Sequence, residues 1–138
     1  YTGRMMGETL AQTICGNRIA YKPGHWFNSA KFLDIEYQTY GWVYGKKGRP
    51  DYEMHFHWKH KDDIKCITIA FDKNTNLFLG INTFGIRMRH EVFDKWLSEQ
   101  RHIDYVINHL SEANFDPELY KDYEKDILIT YKNQLQKV

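Results

Sequence analysis

Apolar and polar residues alternate along the middle of the chain with the period of two that is typical of β-strands. The first such segment begins at Leu33 and keeps its alternation to Tyr37, after which the apolar positions continue in the opposite phase. Because an extra residue in a strand shifts the phase of its side chains, this change predicts a β-bulge near Thr39 or Gly41.

The clearest strand comes next. Its two alternating sets are Tyr52, Met54, Phe56 and Trp58 on one side and Glu53, His55, His57 and Lys59 on the other. The apolar set is expected to face the core, and the histidine set is expected to face water. Residues 65–71 and 76–82 predict two more strands, joined by the polar residues 72–75, whose composition is typical of a hairpin loop. These segments together predict an antiparallel sheet of about four strands.

Helical patterns lie on both sides of this sheet in the sequence. Residues 7–14 combine good helix formers with spaced apolar positions, and Gly16-Asn17 follows where a helix stops. Beyond Gly85 the apolar spacing predicts two short amphipathic helices, and Asp116-Pro117-Glu118 is typical of the start of a third. Strands followed by helices, with no β-α alternation, predict an α+β fold in which two to three C-terminal helices pack on the sheet.

Charge and hydropathy exclude several classes of function. The 138 residues carry a net charge of +1, which is too small for binding nucleic acid as a main role. No segment approaches the roughly 20 apolar residues that span a bilayer, so no membrane association is expected. Cys15 and Cys66 form no C-x-x-C pair, and reduced thiols in a cytoplasmic protein are the simplest expectation.

Aromatic residues make up 16% of the chain, and several of them follow the turn signal Pro23-Gly24. Trp26 and Phe27 form a bulky aromatic turn directly before the first alternating segment. Taken from the residues alone, the favoured interpretation is that these rings fill a junction between domains. Asn28 and Ser29 are residue types that commonly cap local turns.

Histidines suggest a different kind of site. His55 and His57 share one face of the predicted strand, and His60 follows closely. Neutral imidazole binds zinc or copper, but such sites usually have three or four ligands, and no thiolate or closely spaced carboxylate completes this one. Outward-facing polar residues of a sheet are therefore the favoured interpretation, and a metal-binding sheet is the alternative.

The order of the segments is more specific than any one of them. The segments are the helix at residues 3–11, the aromatic turn from Trp26 to Phe32, the strand that ends at Gly41, the strand at 80–82, the helix at 103–110 and the segment at 114–119. In this order they resemble the C-terminal domain of FAD-dependent pyridine nucleotide-disulfide oxidoreductases, in the ferredoxin-reductase and apoptosis-inducing-factor-like branch. The resemblance covers most of residues 1–122.

Three features depart from the pattern of that family. Asn28-Ser29 stands where the family usually has serine-aspartate, an extra helical segment lies between Gly85 and Gln100, and the tail beyond Asp122 is longer. The subfamily and the electron acceptor are therefore left open.

The resemblance implies that the chain consists of two parts. Residues 1–17 are the end of a preceding FAD-domain helix, and residues 18–138 are an interface or dimerisation-type domain that packs over the flavin. In the full-length parent, which uses FAD and NAD(P)H, Trp26 and Phe27 wall the isoalloxazine ring, and Asn28 and Ser29 lie beside it.

The isolated chain is not expected to bind either coenzyme or to be catalytic. A dinucleotide site needs a glycine-rich turn at the start of a helix, and Gly80-x-Asn82-x-x-Gly85 lies in a strand-to-loop context instead. The implied partners are the upstream FAD and NAD domains, a second copy of the chain and a redox-partner protein. A stand-alone protein-interaction module is the alternative to the flavoenzyme domain.

Overall fold

The computed structural model describes residues 2–115 and 121–135. The elements are α1 (Thr2–Ile14), β1 (Phe27–Phe32), β2 (Ile35–Gly41), β3 (Glu53–Lys59), β4 (Cys66–Asp72), β5 (Phe78–Phe84), α2 (His90–Ser98), α3 (Ile103–Asn108), a 3₁₀ helix (Leu110–Ala113) and α4 (Glu124–Leu135). The strands form one antiparallel sheet in the order β1-β2-β5-β4-β3. The predicted α+β fold is confirmed, with five strands where about four were expected.

The additional strand is β1. The sequence predicts a turn from Trp26 to Phe32, whereas Phe27–Phe32 pairs along its whole length with β2. The chain reverses instead at Leu33, which has a φ of 51° and is 93% exposed. In an edge strand whose side chains are mostly exposed on both faces, apolar and polar residues need not alternate. The sequence of β1 therefore does not show the period of two that identifies a strand.

The predicted bulge in β2 is wrong. The register of β2 continues without interruption against both β1 and β5, and the irregularity of the sheet lies between Ala70 and Phe71. The phase change has another cause, because the buried face of β2 carries Gln38 as well as Tyr40. The Gln38 side-chain oxygen accepts a hydrogen bond from the Met88 backbone N–H at 2.8 Å, so a polar residue is satisfied inside the core.

The core lies between one face of the sheet and helices α2, α3 and α4. Its largest fully buried side chains are Trp58, Trp96 and Phe93. On β3, Phe56 and Trp58 face this core as predicted. The prediction is wrong for Met54 and for Tyr52, which lies just before the strand, since both are about half exposed. The difference arises because α4 packs on Phe56 and Trp58, through the ring of Tyr131 and a hydrogen bond from Trp58 to Asp126 respectively.

Helix α4 completes the layer on this side. Ile127 and Tyr131, one turn apart on the helix, both face the core. The Trp58 indole N–H donates to Asp126 at 2.7 Å, and the Tyr131 hydroxyl donates to Asp104 of α3 at 2.8 Å. The predicted helix start at Asp116-Pro117-Glu118 lies outside the described residues. Within the described residues, no helix has the length and apolar character needed to cross a membrane.

The opposite face of the sheet carries a row of polar side chains, one from each strand and each opposite its neighbour. The row runs through Asn28, Thr39, Asn82, Thr68 and His57. Thr39 donates to Asn82, and His57 Nδ1 lies 2.9 Å from the Thr68 hydroxyl. The histidine face of β3 therefore lies away from the helices, and His57 and Lys59 are exposed as predicted. The prediction that this face meets water is wrong at Glu53, which is 4% exposed because its carboxylate accepts a hydrogen bond from the Tyr44 N–H at 2.9 Å.

Tyr40 makes the stability of this core depend on pH. The residue is 4% exposed, and its hydroxyl donates to the Met88 carbonyl at 3.1 Å. Burial, aided by the carboxylates of Glu91 and Glu36, raises the pKa of Tyr40 to about 12. In the unfolded chain tyrosine loses its proton near pH ~10, so the stabilisation is fully present below that pH and is lost as the pH rises towards about 12.

We therefore expect Tyr40 to lower the free energy of unfolding by about 2–3 kcal/mol between pH ~10 and ~12. Urea unfolding of the native chain and of Tyr40→Phe across this range measures the effect. The variant should show a weaker fall, with a remainder from Tyr131, whose pKa burial and the hydrogen bond to Asp104 also raise. Equal pH dependence in the two proteins would contradict the assignment to Tyr40.

Candidate functional site

The four residues predicted near a flavin lie together at one cleft. Trp26, Phe27, Asn28 and Ser29 line a cleft of about 650 Å³ at the end of the sheet where β1 begins and β2 ends. The turn before them depends on Gly24, whose φ of 69° favours glycine. Directly after it, the Trp26 carbonyl accepts a hydrogen bond from the Gly41 N–H at 2.7 Å, which ties the two strand ends together.

A close approach of two backbones forms the floor of this cleft. Gly41 has a φ of 67°, and a Cβ atom placed on it would lie 2.3 Å from the Leu79 carbonyl oxygen. A Cβ atom on Gly80 would lie 2.7 Å from backbone atoms of Tyr40 and Trp42. Only glycine fits at either position without a shift of the backbone. This contact sets where Trp42 leaves the sheet, since the Trp42 N–H donates to the Leu79 carbonyl at 3.1 Å.

Three aromatic rings form a ladder beside the cleft. The Trp26 and Trp42 rings are stacked with centroids 6.0 Å apart and planes 15° apart, and Tyr44 continues the stack at 6.1 Å and 20°. The rings remain open to solvent, since Trp26, Trp42 and Tyr44 are 46%, 59% and 39% exposed. Sequence reasoning missed Trp42 and Tyr44. The change of phase beyond Tyr37 was the one signal that pointed to this stretch.

The Phe27 side chain lies on the face of the sheet that packs against α2. Its ring centroid is 4.0 Å from that of His90, which in turn stacks on Tyr40 at 5.3 Å. The Nδ1 atom of His90 is buried and has no hydrogen-bond partner within the described part of the chain. Phe27 is therefore engaged by the helix layer and presents only part of its ring to the cleft.

Polar groups complete the cleft. His25 Nδ1 lies 2.9 Å from an Asp94 carboxylate oxygen, a contact between residues 69 positions apart that sequence reasoning also missed. The Asn28 amide donates to the Tyr37 hydroxyl at 3.2 Å, and Ser29 is exposed. The residues lining the cleft include no aspartate, glutamate, lysine or arginine.

These residues fit one part of FAD. Flat aromatic faces, an amide, a hydroxyl and an imidazole around an uncharged cleft suit the isoalloxazine ring. They do not suit the pyrophosphate, which needs a glycine turn at a helix N-terminus. Gly80 and Asn82 lie inside β5 and Gly85 follows its end, so this segment is not such a turn.

His55 and His57 of β3, and His60 just after it, contact separate partners. His55 Nε2 contacts the Glu53 carboxylate, and Arg49 donates to His55 Nδ1 at 2.9 Å. His57 contacts the Thr68 hydroxyl, and the His60 ring packs edge-on against the Tyr123 ring. Within residues 2–115 and 121–135, no three His, Cys, Asp or Glu side chains are placed to hold a metal ion.

Two further clefts, both smaller than the aromatic cleft, share Tyr123 as a lining residue. Their volumes are about 250 and 590 Å³, and ionised side chains line both. In the smaller cleft Lys65 is paired with Asp63, and Arg87 makes a two-fold contact with Glu36. At about 650 Å³ the aromatic cleft is larger than both, and the four residues predicted near a flavin line it, so it is the stronger candidate site.

Comparisons with known proteins bear on the fold. No family model matches the sequence, and no curated protein matches it. Among solved structures, the chain is similar to a FAD-dependent pyridine nucleotide-disulphide oxidoreductase from Desulfovibrio vulgaris, with a TM-score of 0.59 and 14% sequence identity. The match covers 91% of this chain and 30% of that chain. The chain thus has the fold of one part of a FAD-dependent oxidoreductase that is much longer than itself.

Proposed function

We propose that this chain is the C-terminal domain of a cytoplasmic FAD-dependent NAD(P)H oxidoreductase and is not catalytic by itself. Residues 1–17 end the helix of the preceding FAD domain, and residues 18–138 form the interface-type domain beside the flavin. The observation that carries the proposal is the cleft where Trp26, Phe27, Asn28 and Ser29 meet. The fold likeness to part of a FAD-dependent oxidoreductase supports it.

The exposed stripe of α1 supports the division of the chain. Met6, Leu10 and Ile14 are 53%, 59% and 75% exposed, although their spacing places them on one side of the helix. An apolar stripe of this kind is stabilised when another surface covers it. In the proposed parent, the rest of the FAD domain provides that surface.

Each cleft residue has a role in this proposal. FAD, held by the upstream domains, accepts hydride from the nicotinamide and passes electrons onward. Trp26 and the exposed part of the Phe27 ring cover the flavin ring and exclude water, while the Asn28 amide and the Ser29 hydroxyl bond its polar edge. The electron acceptor is a redox-partner protein or a small molecule, and a second copy of the chain is a further partner.

Titration of FAD into the isolated chain, followed by flavin fluorescence anisotropy, tests whether the chain binds FAD without the upstream domains. We expect no stoichiometric binding, because the described residues include no glycine turn at a helix N-terminus and the sequence contains no G-x-G-x-x-G motif. Stoichiometric, tight binding would overturn the proposal. Sequencing the coding region ahead of Tyr1 tests the parentage, and two G-x-G-x-x-G motifs upstream are the expected result.

A stand-alone interaction module is the second candidate. It is favoured by a cluster on the open face of the sheet, where Phe32 and Phe84 flank the Tyr37 ring at 6.0 Å on either side. Phe32 is 66% exposed and Phe84 is 39% exposed, which is typical of contact surfaces. A start codon directly before Tyr1 would favour this module over the flavoenzyme domain.

A further inference from the structure

We propose that the free edge of β1 pairs with the same edge of a second copy of the chain, so that two sheets join into one continuous sheet. Strand β1 is the first in the order of strands, so only one of its edges is paired within the chain. The pairing requires no coenzyme, although the place of a second copy in the parent enzyme rests on the proposed function.

The hydrogen bonds of β1 alternate between β2 and the free edge. The Gly41 N–H donates to the Trp26 carbonyl at 2.7 Å, and β1 continues this register against β2 without interruption. Because hydrogen-bonded and non-hydrogen-bonded pairs alternate in an antiparallel ladder, the even-numbered residues of β1 bond to β2. The N–H and C=O groups of Phe27, Ser29 and Lys31 therefore point to the free edge, where they have no partner within the described residues.

Strand β1 has little of the protection that keeps sheet edges apart. It contains no proline and no bulge, and five of its six side chains are exposed. Lys31 is its one charged residue. The edge strand on the other side of the sheet, β3, carries both charged residues and histidines, namely Glu53, His55, His57 and Lys59. Since charges and prolines are what normally block pairing at an edge, β1 is the edge that is open to another strand.

Two-fold symmetry restricts how this edge pairs with itself. Outward-pointing residues must lie opposite one another, and an axis at Ser29 is the one placement that pairs all three of them. Ser29 then lies opposite Ser29 of the second copy, and Phe27 lies opposite Lys31, with two backbone hydrogen bonds at each pair. An axis at Lys31 would instead set two ammonium groups opposite each other, which is unfavourable.

The side chains complement one another in this register. On the open face of the sheet, Phe32 lies opposite Trp26 of the second copy, and these side chains are 66% and 46% exposed. Aromatic pairs across strands stabilise antiparallel sheets. On the other face, Lys31 lies opposite Phe27 of the second copy, whose partly exposed ring attracts a cation. Each contact occurs twice because of the symmetry, so the edge is self-complementary.

Sedimentation velocity of the full chain measures the pairing. A contact along one strand is smaller than a standard interface, so we expect a dimer with a Kd of roughly 10–1,000 µM. Ser29→Pro removes a donor of the free edge and leaves the ladder with β2 intact, because the Ser29 N–H does not point to β2. We expect this variant to dimerise at least about tenfold more weakly. Ser29→Ala keeps the N–H and is the matched control, so its Kd should change less than about threefold.

Cysteine cross-linking tests the register and does not depend on how a proline is tolerated. In a Cys15→Ser background, Ser29→Cys places two thiols at the axis, with Cα atoms about 5.5 Å apart, which suits a disulfide. Lys31→Cys places its two thiols about 14 Å apart along the strands, which is too far. Mild oxidation should therefore link Ser29→Cys at least about tenfold faster than Lys31→Cys. Cys15→Ser alone measures the background from Cys66.

The outcomes separate this inference from the proposed function. Fast cross-linking of Ser29→Cys, with a dimer that Ser29→Pro weakens and Ser29→Ala does not, supports the pairing. A chain that stays monomeric at millimolar concentration, or equal cross-linking of the two cysteine variants, refutes it and leaves the edge to an extended segment of another protein. Tight FAD binding by the isolated chain contradicts the proposed function and leaves the pairing unaffected.

Discussion

Gly41→Ala is expected to lower the free energy of unfolding by about 4 kcal/mol. Two costs combine. A φ of 67° is strained for alanine, and the new Cβ atom would lie 2.3 Å from the Leu79 carbonyl oxygen. Because the obstructing atom belongs to the backbone of β5, a side-chain rotation cannot relieve the contact. Urea unfolding monitored by circular dichroism measures the loss.

Two other glycines separate these costs. Gly24 has a φ of 69° with nothing within 4 Å of an added Cβ atom, so Gly24→Ala should show only the strain, about 1 kcal/mol. Gly48 has open space and no positive φ, so Gly48→Ala should be close to neutral or stabilising. Equal losses for Gly41→Ala and Gly24→Ala would show that the close approach of the strands contributes nothing.

Trp58→Ala is expected to lower the free energy of unfolding by about 4 kcal/mol. Trp58 is 2% exposed, and its indole N–H donates to Asp126 of α4 at 2.7 Å. The substitution leaves a cavity between the sheet and α4 and removes the donor from that carboxylate. We therefore expect the helical signal to fall and α4 to be the first element to open, which amide hydrogen exchange measures.

Trp42→Ala is the matched control, because it removes the same side chain from a residue that is 59% exposed. Its expected effect on the free energy of unfolding is below about 1 kcal/mol. If both substitutions destabilise the chain equally, Trp42 has a structural role despite its exposure. If neither does so, α4 is not held by Trp58.

Elements with a regular period were predicted well. Phe56 and Trp58 alternate with histidines in a half-buried strand, and the structure places them in the core. The loop after β4 was also predicted, because the Asp72 carboxylate accepts hydrogen bonds from the N–H groups of Asn74 and Thr75. In both cases the sequence pattern and the structure that it predicts depend on residues within a few positions of one another.

Elements that depend on pairing across the chain were predicted poorly. β1 is exposed on both faces, so only its hydrogen bonds to β2 identify it as a strand. Gln38 is buried because Met88, 50 positions away, supplies a donor. The sequence shows the polarity of Gln38 but not this partner, and the phase of β2 was therefore misinterpreted as a bulge.

For the site, the sequence by itself determined that Trp26 and Phe27 follow a turn beside Asn28 and Ser29, because these residues are adjacent and the turn needs only Gly24. The tertiary structure alone decided that Trp42 stacks on Trp26 and that Asp94 holds His25. Local conformation follows from neighbouring residues, whereas contacts between distant residues depend on which strands pair and which helices pack on them.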